Sequence, residues 1–116
     1  MNVVTLIGNL ATDVQLKEVG GDKKLASFLL AVPRATRDSE SDFVWVSVWD
    51  RQAETCADYL AKGRRVAVDG RLKSRSWEEE GRRRHAVEVV AHRVQFLSGP
   101  AGEGEVVVPF ERAAAG

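Results

Sequence analysis

The sequence predicts a mainly all-β domain, a small antiparallel barrel with one short helix. Five β-rich runs are separated by turn-forming residues, apolar residues recur at helical spacing only once, and strands and helices do not alternate. The chain has 116 residues, enough for one domain with a short tail and too few for two domains.

The first three strands are predicted from β-rich composition and from the turns around them. Residues 2–10 and 24–32 are typical of paired strands, with a glycine turn at residues 20–22 between them. The polar residues 34–42 predict an exposed connection that leads into a third strand over residues 43–49.

The single helix is predicted directly after the third strand. Asp50 is placed to cap its start and Gly63 lies just past its end, which gives about three turns. Its apolar stripe consists of Ala53, Cys56, Ala57 and Leu60, at positions i, i+3, i+4 and i+7.

Two further β-rich blocks, residues 65–77 and 85–97, complete the barrel. The polar residues 78–84 between them are predicted to form a hairpin tip. The predicted domain therefore covers residues 1–98, and the linker-like composition of residues 99–116 predicts a short flexible tail.

Composition excludes several classes of protein. Lys and Arg number 17 and Asp and Glu number 17, so any site for a polyanion must be a local patch. No apolar run approaches the roughly 20 residues that span a bilayer, and the first residues lack the layout of a secretory signal, which predicts a cytoplasmic protein. Cys56 is the one cysteine, so we expect it to be buried in the core, with no disulfide within the chain and no metal site. The alternative is a thiol on an oligomer surface that cross-links subunits.

The third strand sorts its side chains onto two different faces. Because β-branched residues pack well inside a small barrel, we expect its valines to point inward and its aromatic rings to form an outer surface for a partner. Two alternatives remain: the rings are buried, or they form a protein–protein interface. One face carries Val44, Val46 and Val48, and the other carries Phe43, Trp45, Ser47 and Trp49.

The strand after the helix carries a second surface, on which Arg71, Lys73, Arg75 and Trp77 share one face. Cations at alternate positions repel each other unless an anion lies along them. A single-stranded nucleic acid would place its phosphates on these cations and stack its bases on the rings of both strands. The alternative is a solvated charged strand with one incidental tryptophan.

Further cations flank these two strands. Residues 62–93 hold ten Lys or Arg against five Asp or Glu, a local excess of positive charge in a neutral chain. The acidic residues 78–80 are placed to pair with neighbouring arginines, which would reduce the number of cations free for phosphate. The additional candidate phosphate contacts are Arg34, Arg37, Arg51, Lys62, Arg82 and Arg84.

Catalysis has little support in this sequence. No nucleophile–base pair and no glycine-rich phosphate cradle is visible, so we expect no enzymatic activity and no cofactor.

Residues 2–97 resemble the bacterial single-stranded DNA-binding proteins, in a short-tailed form. Three blocks carry the resemblance: residues 2–10 (NVVTLIGNL), residues 49–54 running into 59–63, and residues 68–77 (VDGRLKSRSW). The last two blocks, in this order, make it specific.

The resemblance implies a five-stranded oligonucleotide-binding (OB) Greek-key barrel with a long protruding hairpin. It also implies assembly as a homotetramer, a dimer of dimers, that wraps single-stranded DNA by base stacking and phosphate contacts. Trp45 stands where relatives often have a basic residue, so we expect a stacking contact to replace a charge contact there. The family pattern assigns stacking to Phe43, Trp49 and Trp77 and places Arg51 and Lys62 on basic positions.

Two departures from the family pattern concern the first loop and the tail. Thr36 stands where many relatives have a further stacking tryptophan, so that contact is not implied here. The family's tail typically ends in an acidic tip with a final Pro-Phe that recruits replication and repair enzymes. Here residues 109–110 (Pro-Phe) lie six residues before Gly116. We therefore expect DNA coating with weakened or lost recruitment, as in a specialised second copy.

The sequence thus predicts a non-enzymatic, nucleoid-associated protein. It would bind and protect single-stranded DNA, with little sequence preference, during replication, recombination or repair. The alternative is an OB-fold interaction module of a replication-restart complex, in which the outward rings bind another protein.

Overall fold

The computed structural model describes residues 1–35 and 40–97 of the chain. Predictions made for Thr36, for the phosphate contact Arg37 and for the tail of residues 99–116 lie outside these ranges. The described elements are β1 (Val4–Leu10), β2 (Gln15–Glu18), β3 (Lys24–Pro33), β4 (Ser41–Trp49), α1 (Asp50–Tyr59), β5 (Arg65–Glu79) and β6 (Arg82–Leu97).

The strands form one closed sheet. Their order is β1-β5-β6-β4-β3-β2, and β1 also pairs with β3, which closes the sheet into a barrel. All pairs are antiparallel except β4 with β6. This confirms the prediction of a mainly β, OB-type barrel with one helix.

The first barrel strand is divided into β1 and β2, and the sequence analysis missed the second part. Both segments pair with β3, β1 at residues 30–31 and β2 at residues 24–27. β2 has four residues, all exposed, so it lacks the alternation of buried and exposed positions that marks a strand in a sequence.

The barrel interior is filled from every long strand. The apolar side chains that alternate along each strand point inward, as the period of two requires. The largest fully buried side chains are Phe28, Leu30, Val46, Val48, Val66, Val68, Val89, Val94, Cys56 and Phe96.

Helix α1 packs Ala53 and Cys56 into this core, and its ten residues agree with the predicted three turns. Its predicted end is wrong: the helix ends at Tyr59 with Leu60 as the C-cap residue, so Gly63 lies three residues beyond the cap. The prediction that Asp50 caps the helix is wrong. Trp49 is the N-cap residue, no side chain caps this end, and Asp50 is the first helical residue with a left-handed backbone (φ 59°). Asp tolerates this conformation better than most residues, and its charge suits the helix N-terminus. Across the two described ranges, no helix is long and apolar enough to cross a membrane.

Strands β5 and β6 form a hairpin that extends beyond the barrel. The strands diverge from regular pairing at a bulge at Asp69 and Gly70, and every residue of β5 after Gly70 is exposed. A side chain at Gly70 would overlap the carbonyl oxygen of Val90, so the close approach of the two strands requires glycine. The hairpin is longer than predicted, because pairing continues to a two-residue turn, Glu80-Gly81, where both φ angles are positive.

Candidate nucleic-acid interface

The aromatic side chains of β4 lie on the outside of the barrel. Phe43, Trp45 and Trp49 are 61%, 47% and 37% exposed, whereas Val46 and Val48 are completely buried. The strand parity predicted from the sequence is therefore confirmed, and the alternative in which the rings fill the core is wrong.

An open groove with a volume of about 280 Å³ lies between β4 and the hairpin. Strands β2, β3, β4, β5 and β6 all contribute to its surface. Its lining consists of Lys17, Leu25, Ser27, Trp45, Ser47, Trp49, Lys73, Arg75, Ala86, Val87, Glu88 and Val90. The aromatic surface of β4 and the cationic surface of β5 thus meet in one groove.

Strand register explains why these two surfaces meet. Trp45 on β4 lies opposite Glu88 on β6, and Glu88 in turn lies opposite Lys73 on β5. Residues opposite each other in neighbouring strands point to the same face of a sheet. The indole and the ammonium group are consequently separated by a single strand, with one carboxylate between them.

A second row of paired residues adds Lys17 to the groove. Lys17 on β2 lies opposite Leu25 on β3, which lies opposite Trp49 on β4. Sequence reasoning missed Lys17 because β2 itself was missed. Its place beside Trp49 depends on pairing across three strands, for which the sequence carries no local signal.

Trp77 and Arg75 interact within the hairpin. The guanidinium carbon of Arg75 lies 5.2 Å from the centroid of the Trp77 ring, a distance typical of cation–π contacts. One face of the Trp77 ring is therefore covered by a cation. Because Arg75 also lines the groove, this contact links the groove to the outer part of the hairpin.

Two of the predicted phosphate contacts are engaged by acidic side chains. Arg34 binds Glu40 through Nη1 at 2.8 Å, and it binds Asp42 through both Nε and Nη2 at 3.0 Å. Arg84 lies 3.4 Å from Glu79, which confirms the prediction that the acidic hairpin residues pair with nearby arginines. A phosphate would have to compete with these carboxylates.

Four of the predicted binding residues line the groove, namely Trp45, Trp49, Lys73 and Arg75. The other described candidates lie outside its lining: Phe43, Trp77, Arg34, Arg51, Lys62, Arg71, Arg82 and Arg84. Arg51 and Lys62 lie at the two ends of the helix. Arg51 is in the first turn of α1, and Lys62 lies beyond its last residue, where its backbone N–H donates to Asp13 Oδ1 at 2.8 Å.

The charge of the groove is positive but mixed. Lys17, Lys73 and Arg75 line it together with Glu88. The cations can hold phosphates of a polyanion, and the exposed indoles can stack with planar rings. No group of three or more His, Cys, Asp or Glu side chains suited to a metal ion is found in residues 1–35 and 40–97.

Cys56 belongs to the core and takes no part in the groove. The residue is fully buried on the inner side of α1, as predicted. Burial raises the pKa of its thiol to about 12, because the charged thiolate is poorly solvated there. The reactive thiolate is therefore scarce at neutral pH.

Comparison of the sequence with known proteins identifies relatives of this chain. The sequence model of the "Single-strand binding protein family" matches residues 1–97. "Single-stranded DNA-binding protein 3" of Clostridium acetobutylicum is 44% identical over 102 residues, which cover 84% of this chain and 71% of the relative. The "Single-stranded DNA-binding protein" of Clostridium tetani is also 44% identical, over 84% of this chain and 70% of the relative. The protein of the same name from Bacillus cereus is 42% identical over 110 residues, which cover 90% of this chain and 65% of the relative.

Proposed function

Because the chain belongs to the single-strand binding protein family, we propose that it binds single-stranded DNA in the groove between β4 and the β5–β6 hairpin. The observation that carries this proposal is the meeting of two exposed indoles and three cations in one groove. Neither feature is explained by the stability of the barrel, since exposed aromatic rings and adjacent like charges do not stabilise a fold.

Bases would stack on Trp45 and Trp49, and the strand would continue along Phe43 or the hairpin ring of Trp77. Every base offers a flat π-face, so stacking holds the strand with little regard to sequence. In proteins that bind single strands, each such stack contributes about 1–3 kcal/mol. Several stacked bases are therefore enough for tight binding.

Phosphates would lie along Lys17, Lys73 and Arg75, at the sides of the groove. Each phosphate neutralised by a cation releases condensed counterions, so the affinity should fall as salt rises. Arg71 and the hairpin arginines, Arg82 and Arg84, would extend this path, although Arg84 must first exchange its contact with Glu79.

The chain is also proposed to assemble as a homotetramer, a dimer of dimers. Val3 and Ile7, beside and within β1, are 67% and 51% exposed, and neither lines the groove. Exposed apolar side chains outside the binding groove are the kind of surface that subunit contacts cover. Such an assembly would leave each groove open for one continuous strand.

In this role the protein covers and protects exposed single strands during replication, recombination or repair, without catalysing a reaction. A protein with this task would be found with the DNA of the nucleoid, in the cytoplasm.

A fluorescence titration tests the proposal. Binding of oligo(dT) should quench the indole fluorescence strongly, and the midpoint should move to higher DNA concentration at the higher of two salt concentrations. An unchanged fluorescence signal at micromolar oligo(dT) would contradict the proposal and favour the alternative in which the exposed rings bind another protein.

A further inference from the structure

Ser47 lies at the floor of the groove, where its side-chain hydroxyl is buried. The residue is only 5% exposed although its position on β4 belongs to the outer face, between Trp45 and Trp49. Its side-chain oxygen is buried and makes no hydrogen bond with any of the described residues. A buried hydroxyl without a partner destabilises a fold, so the hydroxyl at this position calls for an explanation in function.

The direct cross-strand neighbours of Ser47 are neutral. Across the strands it lies opposite Ser27 of β3 and Val90 of β6, both of which line the same groove. The cations of the groove stand on other rows: Lys17 on the row of Trp49, and Lys73 on the row of Glu88. Arg71, opposite Val90, is the cation on the row of Ser47, but it stands two strands away and outside the groove lining. Within the groove, the charge partners of a phosphate therefore lie to the sides of Ser47.

The two indoles on either side define what reaches this floor. Successive strand residues rise by about 3.3 Å, so about 13 Å separate the Cα atoms of Trp45 and Trp49, with Ser47 halfway. Planar groups stacked on these indoles occupy the space above Ser47. The polar edge of such a group is then the nearest partner for the hydroxyl.

We propose that the Ser47 hydroxyl hydrogen-bonds the polar edge of a nucleobase stacked on Trp45 or Trp49. The inference rests on the proposed function and adds a polar contact with a base to stacking and phosphate binding. Because the oxygen is buried in the free protein, this contact requires the side chain to rotate about its Cα–Cβ bond toward the groove. A hydroxyl both donates and accepts, so it can pair with the edge of any base and adds affinity without strict sequence preference.

The test uses a base that stacks but does not hydrogen-bond. Wild-type protein and Ser47→Ala are titrated with a short oligo(dT) and with an oligomer of the same length in which difluorotoluene, a thymine shape mimic, replaces every thymine. One lost hydrogen bond should weaken oligo(dT) binding by Ser47→Ala about 3- to 10-fold and leave binding of the mimic unchanged. Ser47→Thr, which keeps the hydroxyl, should bind oligo(dT) like the wild type, and Ser74→Ala, on the exposed hairpin, serves as the matched control.

The possible results separate the two levels of the proposal. Equal weakening for both oligomers, or no weakening for either, overturns the role of Ser47 while the groove remains the DNA site. Failure of the wild-type protein to bind oligo(dT) overturns the proposed function and the role of Ser47 with it. Because Ser47→Ala removes a hydroxyl that has no partner in residues 1–35 and 40–97, its melting temperature should equal or exceed that of the wild type, which shows that the variant is folded.

Discussion

The side chain of Asn2 is bound to the backbone of Leu72 by two hydrogen bonds. Asn2 Nδ2 donates to the Leu72 carbonyl oxygen at 2.8 Å, and the Leu72 N–H donates to Asn2 Oδ1, also at 2.8 Å. The β1–β5 register ends at Val4 and Gly70, and two positions further on the same register places Asn2 opposite Leu72. Its amide group thus continues the pairing with a side chain in place of backbone, at the point where the hairpin leaves the barrel.

Asn2→Ala should loosen the base of the hairpin and weaken DNA binding more than it weakens the fold. The two bonds are exposed, so we expect a loss of about 1 kcal/mol or less in the free energy of unfolding. The hairpin positions Lys73 and Arg75 beside β4, and its freer movement should raise the Kd for oligo(dT) by a few fold. Hydrogen exchange at the Leu72 amide should become faster. Asn9→Ala, at an exposed asparagine within β1, is the control and should change neither quantity.

Replacing either groove indole should reduce affinity with little effect on stability. Trp45→Ala and Trp49→Ala each remove one stacking platform, and we expect the Kd for oligo(dT) to rise by roughly 5- to 150-fold, which corresponds to about 1–3 kcal/mol. Both rings are partly exposed, so the melting temperature should change little. Tyr59→Ala removes an exposed ring outside the groove and should leave the Kd unchanged. Equal losses for all three variants would argue against specific stacking.

The groove cations should govern the salt dependence. Lys73→Ala and Arg75→Ala should each lower the slope of log K against log salt by about 0.7, the value for one phosphate contact with a single strand. Arg65→Ala removes an exposed cation of β5 that lies outside the groove and should leave the slope unaltered. The measurement is a set of oligo(dT) titrations across several salt concentrations. Unaltered slopes in Lys73→Ala and Arg75→Ala would place the phosphates elsewhere.

Cys56 predicts a loss of stability at high pH. Its pKa is raised by burial from about 9 to about 12 in the folded chain, so the folded state keeps a proton that the unfolded state releases above pH 9. Its contribution to stability is therefore complete below about pH 9 and is lost as the pH rises toward 12. Urea unfolding across this range should show a steeper decline for the wild type than for Cys56→Ala. Identical pH profiles would contradict this assignment.

Local patterns were sufficient to predict the most informative part of the site. The alternation along residues 43–49 placed the rings outside because valine and tryptophan differ so clearly in where a small barrel can hold them. A similar alternation along residues 71–77 placed Lys73 and Arg75 on one face, and the structure brings both to the groove. Their roles in DNA binding remain predictions.

The remaining features depend on contacts between distant parts of the chain. Lys17 reaches the groove only through pairing across β2, β3 and β4, and the contact of Asn2 with Leu72 spans 70 positions. The two carboxylates on Arg34 show a different limit, since a sequence gives the charges of a loop but not which of them meet. Asp50 began the helix without capping it because its left-handed backbone is set by the turn from β4 into α1.

Photochemical cross-linking tests the central claim most directly. Oligo(dT) in which bromouracil replaces thymine is irradiated in complex with the protein, and the attached peptides are identified after trypsin digestion. If bases stack in the groove and along the hairpin, cross-links should concentrate in residues 38–51, which contain Trp45 and Trp49, and in residues 76–82, which contain Trp77. Cross-links confined to the helix peptide, residues 52–62, with none in these two peptides, would contradict binding in the groove.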